Sequence, residues 1–129
     1  MSVERRILLL EDDPNLGLIV AESLENRDFM VRLCRNGREG LAALEEEQPD
    51  LCLVDVMMPE LDGFEFARHL RNDERFHDIP IIMVTSRTGE KHRERAMELA
   101  IESYLGKPFQ EDELLENIAE LVGDKSQRA

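Results

Sequence analysis

Short apolar runs recur along the chain, each ended by polar residues, and between them apolar positions return at the spacing of an amphipathic helix. The first run, Ile7 to Leu10, stops at Glu11-Asp12-Asp13-Pro14. Asp13 with Pro14 behind it predicts a helix start, because an acceptor side chain caps the first turn and the N–H that proline lacks is not needed there. The helix that follows, of about 13 residues, carries Leu16, Ile19, Val20 and Leu24 at helical spacing and gives way near Asn26-Arg27-Asp28. Phe29 to Cys34 alternates as a strand does, and Asn36-Gly37 breaks it. Gly40, Leu41 and Leu44 mark a second helix that ends before Pro49, with Glu45-Glu46-Glu47 as its solvated face.

The next run, Leu51 to Val54, reads as a fully buried strand that ends abruptly at Asp55, with Met58-Pro59 and Asp62-Gly63 as turn signals behind it. Phe64, Ala67 and Leu70 give a third helix up to about Asn72. Ile79 to Val84 is another buried strand, terminated by Thr85-Ser86, and Glu90 to Ala100 a fourth helix. Ile101 to Leu105 makes a short fifth strand stopped by Gly106-Lys107-Pro108. Glu111 to Val122 closes the pattern with a helix whose apolar residues are Leu114, Leu115, Ile118 and Leu121.

Strands alternating with helices across short loops predict an α/β fold: a doubly wound five-stranded parallel sheet flanked by five helices. No repeat or low-complexity segment interrupts it. Residues 1–129 are expected to form a single domain, with a core over 5–122 and a short polar tail over 123–129. In such a sheet ligands bind outside the carboxyl ends of the strands, at the switch point of the strand order. Four of the five strands end there in a chemically useful residue: Glu11 and Asp12 after the first, Asp55 after the third, Thr85 after the fourth, Lys107 after the fifth. Alone, Asp55 would be a loop cap, Lys107 a surface lysine, Thr85 a helix cap and Glu11-Asp12 a solvated turn. Their convergence on one sheet edge is what points to a site.

Charge sharpens the picture. The 129 residues carry a formal charge of −13, which repels nucleic acid and anionic membranes, so any phosphate handled here needs a cation to approach. Three carboxylates drawn together would repel and raise one another's pKa unless a hard divalent ion held them, and Mg²⁺ suits carboxylate and carbonyl oxygens. With Lys107 and the Thr85 hydroxyl added, the edge becomes a pocket for a tetrahedral anion beside Asp55. No apolar run approaches the roughly 18 residues of a membrane span, and the four apolar residues that follow the start are too few for a signal peptide; the expected location is cytoplasmic. Cys34 and Cys52 fall in strands without metal-ligand spacing and read as buried thiols.

The motifs Ile7-Leu8-Leu9-Leu10-Glu11-Asp12-Asp13, Leu53-Val54-Asp55-Val56-Met57-Met58-Pro59 with Asp62-Gly63, Ile82-Met83-Val84-Thr85-Ser86 and Tyr104-Leu105-Gly106-Lys107-Pro108-Phe109 give the chain its resemblance, over residues 5 to 122, to the CheY-like receiver domains of bacterial two-component response regulators. The resemblance implies a flavodoxin-like (βα)5 fold with strand order 2-1-3-4-5. It further implies Asp55 as phosphoacceptor, Mg²⁺ held by Asp55, Asp12, Glu11 through water and the backbone carbonyl of Met57, and Thr85 and Lys107 on the phosphoryl oxygens. A cis Lys107–Pro108 bond and Tyr104 as the aromatic switch complete the set. The implied partners are a sensor histidine kinase or phosphotransfer domain and a downstream target on the surface made by the fourth helix, fifth strand and fifth helix. Nucleic acid and membrane are not expected partners, and the chain is expected to be a monomer or a phosphorylation-dependent dimer. The implied role is a phosphoryl-accepting switch that catalyses only its own phosphorylation and dephosphorylation.

The stretches 85–96 and 104–111 also resemble receivers fused to chemotaxis-type hybrid histidine kinases. Departures from the family pattern are local. Ala100-Ile101 stands where Gly-Ala is usual, Ser86 replaces an alanine, and Met57 and Arg87 occupy positions that tune loss of the phosphoryl group. Met57 offers no hydrogen bond to an attacking water, so a long-lived phosphoform is expected. His92 reads as a surface residue, and Arg87, Lys91, Arg93 and Arg95 as a basic docking patch. Two rivals fare worse: a dehalogenase-type phosphohydrolase wants a second aspartate at the position of Met57, and a nucleotide site needs a glycine-rich loop where Glu11-Asp12-Asp13 lies. A third, a degenerate receiver that only docks, needs no phosphate at all.

Overall fold

The computed structural model describes residues 5–58, 60–86 and 90–122, with the side chains of 90–92 excepted. Ten elements alternate along it: β1 (Arg5–Leu10), α1 (Pro14–Glu25), β2 (Phe29–Cys34), α2 (Gly37–Glu46), β3 (Leu51–Asp55), α3 (Gly63–Arg71), β4 (Ile81–Thr85), α4 (Glu90–Glu98), β5 (Ser103–Gly106) and α5 (Glu111–Val122). The strands form one parallel sheet in the order β2-β1-β3-β4-β5. Parallel strands with helices on both faces lose water from both sides, which is why β3 and β4 are buried at every position.

The alternation of strand side chains splits the core in two. Leu8, Leu10, Cys52, Val54, Ile81 and Met83 pack with residues of α2, α3 and α4, while Ile7, Leu9, Leu53, Ile82, Val84 and Leu105 pack with those of α1 and α5. Helix starts follow the sequence signals. The Asp13 side chain accepts from the N–H groups of Asn15 and Leu16, that of Asn36 from Glu39, and Asp62 and Glu65 form a reciprocal capping box at α3. Both cysteines are free and buried, and burial pushes both thiols up.

Several boundaries differ from the sequence reading, the first being β1, which begins at Arg5, two residues before the apolar run. β4 begins at Ile81 because Pro80 has no N–H to give a ladder; its carbonyl instead accepts from Cys52. α4 stops at Glu98, and β5 starts at Ser103. Between them Ala100 takes the left-handed φ of 55°, its N–H donating to the Met97 carbonyl and that of Ile101 to the Ala96 carbonyl. That is a Schellman stop with alanine where glycine is favoured. Arg71 straps the same turn. Its five N–H groups reach the carbonyls of Leu99, Ala100, His77 and Ile79 and the carboxylate of Glu102, at 2.7–3.0 Å. The acidic run of α2 is exposed as read, and each member holds an arginine: Glu45 with Arg75, Glu46 with Arg32, Glu47 with Arg6. The expected tail and Arg87 lie outside the described residues, as do the side chains of Lys91 and His92.

Candidate functional site

Glu11 follows β1 directly, and its N–H donates to the Cys34 carbonyl at 3.0 Å, which pins the acidic turn to the end of β2. Its side chain turns inward and is buried, whereas Asp12 points to solvent. The inward Oε2 accepts from the N–H of Asp13 at 3.2 Å. Asp55 ends β3, also buried, and its Oδ1 accepts from the Met57 N–H at 3.2 Å. One oxygen from each of Glu11, Asp12 and Asp55 lies within a span of 4.8 Å.

Lys107 closes the group from the far strand. Its Nζ is 2.8 Å from Glu11 Oε1 and 3.3 Å from Asp55 Oδ2. Its backbone N–H donates to the Thr85 carbonyl at 2.8 Å, which continues the β4–β5 ladder and brings it there; the Lys107–Pro108 bond is cis, as expected. Thr85 ends β4, fully buried, one position past the Val84 that pairs with Asp55. Met57 is half exposed at the rim. Gly63 completes the approach. A Cβ there would sit 2.5 Å from the Asp55 carbonyl oxygen, so only glycine lets α3 begin so close to the site.

Electrostatics follow from this crowding. Burial, then the hydrogen bond and charge of Glu11, push the Asp55 carboxyl up to about 7, against the opposing pull of Lys107 and the Met57 N–H. Burial works against the charge of Lys107, but the hydrogen bond to Glu11 and the nearby Asp55 raise its pKa. The set carries three acids for one lysine. Three hard oxygen donors within reach of one another, short of positive charge and open to water on the Asp12 side, fit a divalent ion such as Mg²⁺ that retains part of its hydration.

The residues expected at the strand ends fall on one sheet edge, Glu11, Asp12, Asp55 and Lys107 in a single cluster with Thr85 and Met57 beside it, while Tyr104 lies half-buried within β5, in register with Met83 two positions before Thr85. What sequence reasoning missed is the apolar wall behind Asp55. Leu16, Leu53, Val84 and Phe109 line a small cavity with Glu11 and Asp55. Helical spacing marks Leu16 as apolar, but nothing in the pattern says that Phe109, past the cis bond, returns to cover an acid.

Clustered acids and one strand-end lysine at the switch point of a doubly wound parallel sheet make a site suited to a divalent cation and a phosphoryl-sized anion. The chain belongs to the response regulator receiver domain family, which matches residues 7–119, and its role is that of a two-component signalling switch. It is 39% identical over 118 residues to the transcriptional regulatory protein GltR of Pseudomonas aeruginosa, covering 92% of this chain and 49% of that protein. It is 34% identical over 116 residues to hybrid signal transduction histidine kinase D of Dictyostelium discoideum, covering 90% of this chain and 7% of that one. The chain spans about half the length of most of the curated relatives it matches. Among solved structures it is similar to chemotaxis protein CheY4 of Vibrio cholerae, at a TM-score of 0.88 and 26% identity, covering 92% of this chain and 99% of that one. It is similar also to the signal receiver domain of a signal transduction histidine kinase from Syntrophus aciditrophicus, at a TM-score of 0.86 and 28% identity, covering 97% and 95%.

Proposed function

We propose that Asp55 accepts a phosphoryl group from the phosphohistidine of a sensor histidine kinase or phosphotransfer domain and that the phosphorylated domain presents its α4-β5-α5 surface to a downstream protein. The observation that carries this reading is Lys107 Nζ lying within 3.3 Å of Asp55 and 2.8 Å of Glu11, inside the same cluster as Asp12. A carboxylate oxygen of Asp55 bonds to phosphorus as the phosphorus–nitrogen bond breaks, and the electron pair leaves with the imidazole. Lys107 offsets charge on the phosphoryl oxygens, and the Thr85 hydroxyl bonds one of them. The Met57 N–H holds Asp55 in orientation. Asp55, Asp12, Glu11 and the Met57 carbonyl would hold Mg²⁺, which would supply the remaining positive charge. The apolar wall of Leu16, Val84 and Phe109 keeps water from the back of the carboxylate.

Release of the acyl phosphate is slow in this reading, because Met57 gives an incoming water nothing to bond. A protein donor rests on the exposed Leu18 and Ile19 of α1, the helix whose first turn flanks the acids. Tyr104 turns inward as Thr85 moves toward the phosphate, which biases a two-state surface. Residues 1–129 act as one cytoplasmic receiver domain with its core over 5–122, monomeric or dimerising on phosphorylation, catalysing only its own gain and loss of phosphate.

Incubation with acetyl phosphate and Mg²⁺, followed by intact-mass measurement, tests the reading. A single lasting adduct on the wild type and none on Asp55→Ala supports it. Rapid turnover without an adduct makes the domain a phosphohydrolase, and no reaction in either protein makes it a docking module. With the adduct in hand, Met57→Asn is expected to shorten its lifetime. Leu18→Asp with Ile19→Asp is expected to slow transfer from a kinase and leave acetyl phosphate unaffected.

A further inference from the structure

α4 is held to the domain in an unusual way. Among its described side chains only Ala96 is buried, and Met97 is 79% exposed, so apolar burial fastens the helix weakly. Two arginines do what aliphatic residues do elsewhere. The Arg93 guanidinium carbon lies 5.5 Å from the centre of the Tyr104 ring, and that of Arg95 lies 4.5 Å from the ring of the buried Phe64, the residue after Gly63. Helix α4 is thereby stacked on β5 at one arginine and on the start of α3 at the other, two residues apart.

We propose that Arg93 is a positioning residue for the switch: its guanidinium, lying over Tyr104, holds that ring in its half-buried resting orientation and sets how readily the domain changes state. The proposal rests on the reading of Tyr104 as the aromatic switch. A ligand or contact shifts an equilibrium only by its different strength in the two states. The stack of Arg93 on Tyr104 exists while the ring faces α4 and is lost when the ring turns inward, so it favours the resting form. Exposed contacts of this kind shift a ratio by about two- to fivefold, enough to tune a switch without locking it. Arg95 on Phe64 keeps α4 in the register that puts Arg93 over the ring. The basic face expected from the sequence is on this view partly an internal fastening.

The sequence contains one tyrosine and no tryptophan, so intrinsic fluorescence reads Tyr104 alone. Quenching by the neutral solute acrylamide separates the two consequences of removing the arginine. If the ring stays where it is, Arg93→Gln uncovers it and quenching rises. If the ring turns inward once released, quenching falls. The expected result, without any phosphoryl donor, is a fall in Arg93→Gln, with the inward form enriched about two- to fivefold, and recovery toward wild type in Arg93→Lys, which keeps the cation. A rise, no change, or an equal fall in Arg93→Lys overturns the proposal. Urea unfolding of each variant checks that this exposed position leaves the fold intact. Intact mass after acetyl phosphate and Mg²⁺ tests Asp55 separately: a missing adduct sinks the phosphoacceptor reading, while the quenching comparison still decides the role of Arg93.

Discussion

Helices α3 and α4 have nine residues each and follow the neighbouring strands β3 and β4, yet they are attached to the sheet in opposite ways. α3 opens with a capping box, buries Gly63, Phe64, Phe66, Ala67 and Leu70, and ends in the five-bonded Arg71. α4 buries Ala96 among its described side chains and leans on two arginine–ring contacts. Burial of large side chains gives stability that a few contacts can neither supply nor remove, whereas stacked exposed charges give an attachment small enough to reverse. One flank of the site is therefore scaffold, and the other is free to respond.

The most damaging test of this contrast is Phe66→Ala. Phe66 is fully buried on α3, so the change is expected to cost about 3–5 kcal/mol in urea unfolding, while Met97→Ala on α4 stays within about 0.5 kcal/mol. Comparable costs would erase the difference between the helices. Amide hydrogen exchange is expected to show the amides of α4 opening at least tenfold faster than those of α3, a gap of about 1.4 kcal/mol or more in opening free energy.

Asp55 sharpens the comparison at the site between the two helices. Its folded pKa is raised to about 7 from an ordinary value near 4, so ionisation costs stability as pH rises through that window. Asp55→Asn removes the cost. In metal-free buffer the variant is expected to match wild type near pH 4 and to be more stable by about 1–2 kcal/mol above pH 7, the charge partner that Lys107 loses holding the gain below the full shift. Added Mg²⁺ should shrink the difference, and a gain that is flat with pH would exclude the carboxylate as its source. The smallest effect is at the join of the two flanks. Ala100 sits at φ 55° in the stop of α4, so Ala100→Gly is expected to add about 0.5–1 kcal/mol, read as a small rise in melting temperature.

Much of this was legible in the chain. The strands announce themselves as apolar runs, and because every parallel strand points its carboxyl end the same way, the polar residue that ends each run must reach the same edge; that logic alone assembles Glu11, Asp12, Asp55, Thr85 and Lys107. What stayed hidden depends on partners far apart in sequence. Phe109 behind Asp55 is such a case, since its place is set by a backbone bend and by α1 rather than by any periodicity. Arg93 and Arg95 read as one charged surface because hydropathy sees the guanidinium and not the ring beneath it. The start of β5 was read two residues early, since Ile101 is apolar enough for a strand but is used by the helix stop.

Gly63 has a consequence for how the domain tolerates change. Its N–H donates to the Val56 carbonyl at 3.0 Å, and its bare Cα leaves no room for a methyl group beside the Asp55 carbonyl, so Val56 and Gly63 form a clasp directly behind the acid. A side chain at the exposed rim, such as that of Met57, can be exchanged without disturbing that clasp. Tolerance of change at the rim is thereby separated from the fixed seat of the acid.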